Sequence, residues 1–263
     1  MYKLVAFDLD NTLFTNDKQL PPGFFYEARR LTEKGIVCAP ASGRFVSELR
    51  ELFAPVADSL GFIGCNAHEV YLGDRMLHRT TFDDEILFAI LDACSAIPDV
   101  MVDFTSPETN FVMGYEGTAA QDALLRTYYS SWERMDMPTK HIHTWGDAPI
   151  VKVTCVNPAP WESTEQVAHI SPRVRPVLTA AHTCDFALDG ASKATGLAML
   201  AKELGIPMEE TMAFGDHMND IEMIEAAGCG VAMANAIPEV KAVANRECPS
   251  NEEYGVMSVL AQL

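Results

Sequence analysis

Residues 4–13 read Leu4-Val5-Ala6-Phe7-Asp8-Leu9-Asp10-Asn11-Thr12-Leu13. The first four are apolar without alternation, the pattern of a short strand buried on both faces, as in a parallel sheet covered by helices. Two carboxylates follow at once, where the carboxyl end of such a strand meets ligands in open α/β sheets. Similar unalternating runs occur at Ile36–Ala39, Phe62–Gly64, Met212–Phe214 and Gly230–Met233. Helical patterns lie between several of them. Phe25, Ala28 and Leu31 recur at helix spacing until Gly35, and Val46, Leu49 and Phe53 until Pro55. Ala194, Leu197, Leu200, Ala201 and Leu204 define a helix over 193–204, with Ser192 as N-cap and Gly205 at its stop. Residues 217–227 place Ile221, Ile224 and Ala227 on one face, closed by Gly228. Strand then helix, repeated, predicts an α/β doubly wound parallel-sheet domain.

The middle of the chain reads differently. Helices are predicted at 83–96 and 119–132, with a short one at 161–170. Strands are predicted at 100–104, 111–115, 150–156 and around 174–178 and 183–188. This is an α+β module inserted into the α/β domain. The division predicted is 1–81 with 185–263 for the core, and 82–184 for the insert.

Each core strand delivers small polar or acidic residues to one rim. They are Asp8 and Asp10, then Ser42-Gly43-Arg44, then Asn66, then Asp216, Asn219 and Asp220. Carboxylates at 8, 10, 216 and 220 that converge would repel one another unless a cation sat among them. Hard oxygen donors without a Cys or His cluster suit Mg²⁺ rather than zinc. Lys193 falls in the first turn of a helix, where the dipole disfavours a cation. Taken alone it reads as a solvated surface lysine; an anion bound at that N-terminus reverses the argument.

Composition narrows the function. The 263 residues are 48% hydrophobic and 21% charged, which excludes intrinsic disorder. A net charge of −18 lacks the basic footprint of a general nucleic-acid binder. It also repels anionic substrates, which then need local positive charge or a bound cation. The seven cysteines are odd in number and form no Cys-x-x-Cys, so they read as small buried hydrophobes in a reducing compartment. No apolar run has transmembrane length, and Asp8 and Asp10 leave no room for a signal peptide. A cytoplasmic protein with no membrane partner is expected, as a monomer or small homo-oligomer.

Four stretches together resemble the motifs of the haloacid dehalogenase (HAD) superfamily. Phe7-Asp8-Leu9-Asp10-Asn11-Thr12-Leu13 looks like the first and Ala41-Ser42-Gly43-Arg44 like the second. Gly190-Ala191-Ser192-Lys193 resembles the third, and Gly215-Asp216-His217-Met218-Asn219-Asp220 the fourth. The insert between the second and third is similar to the C2-type α/β cap of the Cof-type phosphatases, and Cys65-Asn66-Ala67 to that branch's Asn-Gly turn. Asn11, Ser42, Ala67 and Ala194 stand where the family more often has Gly, Thr, Gly and Gly. The resemblance implies a HAD core with a cap domain and a Mg²⁺-dependent phosphatase acting on a small phosphorylated metabolite, such as a sugar or cofactor phosphate. In it Asp8 is the nucleophile that becomes an aspartyl-phosphate, and Asp10 the general acid and base. Asp8, the Asp10 carbonyl and Asp216 hold the metal. Ser42, Gly43, Lys193 and Asn219 bind the phosphate, and Asp220 orients Lys193.

Other readings weigh less. A serine-hydrolase elbow at 190–194 has only His217 downstream, too close for that fold. A phosphomutase, and a signalling module phosphorylated on Asp8, would use the same residues; Asp10 beside the nucleophile argues for turnover. Tyr115, Trp132, His141, His143 and Trp145 are candidates for the inner face of the cap, but Trp132 sits on an apolar helical stripe and no specificity residue is assigned.

Overall fold

A computed structural model describes residues 2–107, 109–129, 131–136, 144–145, 148–161 and 163–263. The chain forms two compact units, Met1–Arg79 with Ala191–Leu263, and Thr80–Gly190. It opens with β1 (Leu4–Phe7), α1 (Phe24–Glu33), β2 (Val37–Pro40), α2 (Val46–Leu52), β3 (Gly61–Gly64), β4 (Glu69–Leu72) and β5 (Arg75–Arg79). The inserted unit carries α3 (Asp84–Ser95), β6 (Met101–Thr105), β7 (Asn110–Met113), α4 (Ala119–Tyr128), β8 (Glu133–Met135), β9 (Thr144–Trp145), β10 (Ala148–Pro149), β11 (Lys152–Val156), β12 (Val174–Ala180) and β13 (Thr183–Leu188). The first unit is completed by α5 (Lys193–Leu204), β14 (Thr211–Gly215), α6 (Ile221–Ala226), β15 (Cys229–Met233), α7 (Pro238–Val243), β16 (Arg246–Cys248) and α8 (Gly255–Leu260).

In the first unit five strands run parallel in the order β16-β15-β14-β1-β2. β1 lies inside the sheet, between β14 and β2, and every one of its residues is buried, which is why its sequence does not alternate. The strand order reverses at β1, so Asp8 leaves the sheet at its switch point, with Asp216 at the end of adjacent β14. Helix α5 spans 193–204, starting from a Ser192–Thr195 capping box and ending at Gly205 in the left-handed region. Residues 217–227 are less helical than the periodicity predicts: a tight turn over Met218–Asp220 precedes the α-helix of Ile221–Ala226.

The strand at 62–64 departs from expectation. It does not join the parallel sheet but heads an antiparallel one, β3-β4-β5, meeting the end of β2 at the parallel bridge Ala41–Ile63. The turn at 65–67 returns the chain at once, so that β4 pairs along the other edge of β3.

The inserted unit has a six-stranded sheet, β12-β13-β11-β6-β7-β8, in which only β7–β8 is parallel. Ile86, Leu87, Ile90, Leu91 and Cys94 of α3 pack on Val102, Phe104, Val153, Cys155 and Phe186. β13 runs to Leu188, so the chain leaves this sheet after that residue rather than at the predicted 184–185 boundary. α4 stops at Tyr128 because Tyr129 is extended, φ −129° and ψ 139°. Trp132 is therefore not helical; it lies partly buried, edge-on to Tyr115 with the Arg126 guanidinium over its ring. Among the described residues of the helix predicted at 161–170, only Glu165–Val167 forms a helical turn. His141 and His143 lie outside the described residues, as does the side chain of Trp145. All seven cysteines are buried and free of disulfides. Among the described residues no helix is long and apolar enough to cross a membrane.

Candidate active site

Asp8 is placed by the backbone before its side chain acts. Its N–H donates to the Phe214 carbonyl at 3.1 Å, continuing the β1–β14 ladder one step past the last strand residue. Leu9–Leu13 then close a turn in which Asn11 is left-handed, φ 62°, and the Phe14 N–H reaches back to the Leu9 carbonyl at 2.8 Å. Asn is among the residues that tolerate this geometry. Asn235 Nδ2 donates to the Asn11 carbonyl at 2.8 Å, fixing the turn from the far side of the sheet end.

Lys193 is the decisive side chain. Far from extending into solvent, it is wholly buried, and its Nζ donates to Asp8 Oδ1 and to Asp220 Oδ1, each at 2.6 Å. The surface-lysine reading is thus overturned. Two carboxylates outweigh both the burial and the helix dipole that oppose its charge. Burial works to lower the Lys193 pKa, but Asp220 and Asp8 hold it above the usual lysine range. Asp220 has no oxygen to spare, since its Oδ2 accepts from the N–H groups of Asp216 and His217 at 3.0 and 3.1 Å. Gly215 has to be glycine here: a Cβ would lie 2.3 Å from Asp220 Cβ.

Asp8, Asp216 and Asp220 bring carboxylate oxygens within 4.8 Å of one another. Burial pushes Asp8 up to about 8, with Asp220 and Asp216 adding to it and Lys193 opposing. Burial also pushes Asp216 up to about 6, against the Thr12 hydroxyl that donates to its Oδ1 at 2.7 Å. Lys193 therefore leaves the cluster short of positive charge. Asp8 Oδ2 and Asp216 Oδ2 have no donor among these contacts, and hard oxygens of this kind fit a divalent cation of the Mg²⁺ type.

The side chain of Asp10 is not in that cluster, so three of the four carboxylates converge and not all four. Its carboxylate is half exposed and is held by Lys18 Nζ at 2.7 Å and by Arg44 Nη2 at 3.1 and 3.2 Å. Burial tends to raise Asp10, but these two cations bring it below the ordinary carboxylate value. Arg44 ties Asp10 to the next strand end, where its N–H donates to Ser42 Oγ at 3.2 Å. Ser42 is buried, and its own N–H donates to the Ile63 carbonyl at 2.8 Å; Gly43 lies between the two. Asn219 Nδ2 reaches Asn66 Oδ1 at 3.4 Å, and Asn66 N–H donates to the Ser42 carbonyl at 3.0 Å. The predicted residues thus fall into two linked groups, one around Lys193 and one around Ser42. Thr12, Lys18 and Arg44 carry contacts that sequence reasoning did not assign. Thr12 and Arg44 lie inside the quoted motifs, whereas nothing in the sequence singles out Lys18.

A sequence profile of haloacid dehalogenase-like hydrolases matches residues 5–260. The chain belongs to that family. Among curated relatives, the HMP-PP phosphatase of Citrobacter koseri is 30% identical over 251 residues, 91% of this chain and 87% of that protein. The 5-amino-6-(5-phospho-D-ribitylamino)uracil phosphatase YitU of Bacillus subtilis is 27% identical over 276 residues, 98% of this chain and 96% of that one. Among solved structures, the HAD phosphatase BT1666 from Bacteroides thetaiotaomicron superposes with a TM-score of 0.85 at 24% identity, covering 100% of this chain and 95% of its own, which establishes the shared fold. The chain is an enzyme of the HAD phosphatase class.

Proposed function

We propose that the chain is a Mg²⁺-dependent phosphatase that hydrolyses the phosphate monoester of a small metabolite through an aspartyl-phosphate on Asp8. The observation that carries this reading is the buried Lys193, with its ammonium 2.6 Å from both Asp8 and Asp220. A buried lysine paired with two carboxylates at the switch point of a parallel sheet fits a site that balances an incoming phosphoryl group.

In this reading Asp8 Oδ2 attacks phosphorus in line with the departing ester oxygen, forming the Asp8 O–P bond as the ester P–O bond breaks. Asp10 gives its proton to the leaving oxygen, then accepts one from the water that attacks phospho-Asp8, so it ends in its starting state. Lys193 faces the equatorial oxygens, kept in place by Asp220, and Ser42, Gly43 and Asn219 hold the remaining phosphoryl contacts. Asp8, Asp216 and the Asp10 carbonyl would hold Mg²⁺, which supplies the positive charge that lets two buried carboxylates stay ionised beside a phosphate. The release of Asp10 from Lys18 and Arg44 is part of making it an acid. The inserted unit is assigned the choice of substrate. The named relatives act on HMP-PP and on a phosphorylated ribitylaminouracil, which favours phosphates of cofactor precursors or sugar alcohols as the class to try first.

The test is phosphate release from a panel of phosphorylated metabolites with Mg²⁺ present. Hydrolysis is expected for some members and is abolished by excess EDTA, then restored by Mg²⁺. Undiminished turnover in EDTA, or release from no ester at all, contradicts the proposal.

A further inference from the structure

Residues 65–67 form a turn in which three successive non-glycine residues are left-handed, with φ of 49° at Cys65, 52° at Asn66 and 75° at Ala67. L-residues avoid this region, and a run of them persists only where the surroundings over-determine it. Here the surroundings are the loops of the active site. Cys65 N–H donates to the Arg44 carbonyl at 2.8 Å and Asn66 N–H to the Ser42 carbonyl at 3.0 Å. Gly196, one turn along α5 from Lys193, lies so close that a Cβ there would sit 3.0 Å from the Ala67 Cβ. Asn66 Oδ1 accepts from Asn219 Nδ2 at 3.4 Å. One strained turn therefore touches the segments that carry Ser42, Lys193 and Asn219.

We propose that Asn66 is a positioning residue for Asn219. Its side-chain oxygen takes one N–H of the Asn219 amide and so turns the second N–H toward the phosphoryl group. The proposal rests on the phosphatase reading above. An amide has two N–H donors on one nitrogen, and engaging one fixes the direction of the other. The left-handed run is what aims Asn66 at Asn219. A contact of 3.4 Å is long for a hydrogen bond, as such contacts commonly are before the bound complex tightens them.

The experiment uses the full chain with Mg²⁺ and two readouts, kcat/KM for p-nitrophenyl phosphate and the dissociation constant of inorganic phosphate. Asn66→Gly keeps the left-handed turn without steric cost but removes the acceptor. It is expected to weaken both readouts by about 3–10-fold, the scale of one hydrogen bond, with no fall in the unfolding midpoint. Asn219→Ala should then cost less than a third as much in the Asn66→Gly background as in the native chain, because the two act as one unit. Asn66→Asp, which keeps an acceptor and tolerates the turn, should keep most of that coupling. Additive losses, or an Asn66→Gly chain indistinguishable from the native one, overturn the proposal. Coupled losses in phosphate binding, in a chain that hydrolyses no ester, would overturn the phosphatase reading and leave the positioning role in place.

Discussion

Asp220→Asn isolates the buried charge network because it preserves volume and removes one charge. Asp220 is fully buried; Oδ1 receives Lys193 at 2.6 Å and Oδ2 receives two backbone N–H groups at 3.0 and 3.1 Å. An asparagine has one acceptor oxygen, so in either orientation its NH₂ faces a donor. If nitrogen faces Lys193 the ammonium loses a partner; if it faces the peptide groups, two buried N–H donors go unmet. Removing one partner from a buried ion pair typically costs about 3–5 kcal/mol. Lys193 keeps Asp8, so the lower end applies, about 3 kcal/mol. At ~2–4 °C per kcal/mol for a domain of this size, the unfolding midpoint should fall by roughly 6–12 °C. The same change loosens Lys193 and should lower kcat/KM by about 10–100-fold. Thermal unfolding followed by circular dichroism in EDTA, beside kinetics in Mg²⁺, measures both. A midpoint within about 2 °C of the native chain, with unchanged kcat/KM, refutes the claim that Asp220 anchors Lys193.

Three further outcomes are expected. Thr12→Val removes the 2.7 Å hydrogen bond to Asp216 and should weaken Mg²⁺ affinity by about 10-fold, read as a rise in the Mg²⁺ concentration for half-maximal activity. Asp10→Asn should slow single-turnover transfer from an alkyl phosphate by ~10²–10⁴-fold and from p-nitrophenyl phosphate much less, since a nitrophenolate leaves without a proton; equal losses would remove its acid role. In the inserted unit, burial pushes Asp103 up to about 7. The folded state then holds a proton that the unfolded chain has lost above about pH 4, so stability should fall as pH rises from about 4 to about 7 and level off beyond. Asp103→Asn should match the native chain near pH 4 and exceed it by up to about 4 kcal/mol at pH 8, and thermal melts of both across that range check the sign.

What could be read from the chain depended on whether the signal was local. β1, β14 and β15 are buried on both faces, so their runs have no competing period, and α5 carries its own caps in Ser192 and Gly205. The strand at 61–64 looked like its parallel neighbours, because its apolar run does not show that the turn at Cys65-Asn66-Ala67 sends the chain straight back along it as β4. Trp132 falls at helical spacing from Leu125 and Tyr128, yet the helix ends at Tyr128, and the ring packs on Tyr115 instead. Lys193 alone gives the wrong answer from local physics, since helix-dipole reasoning sends it to solvent. Its partners come from the end of β1 and from the turn before α6, 185 and 27 residues away. Lys18 was beyond sequence reasoning for the same reason: a lysine in an exposed loop has no pattern that points to a carboxylate eight positions earlier, whereas Arg44 stands inside the second motif and lacked only an assigned partner.

The account stands most directly on the chemistry of Asp8. Rapid acid quench of the Mg²⁺-loaded enzyme during turnover of p-nitrophenyl phosphate, followed by peptide mass spectrometry, should find one phosphoryl group on the peptide containing Asp8. The Asp8→Asn chain should show neither this adduct nor turnover. Turnover without a phosphopeptide, a phosphoryl group on another residue, or an active Asp8→Asn chain would contradict the account.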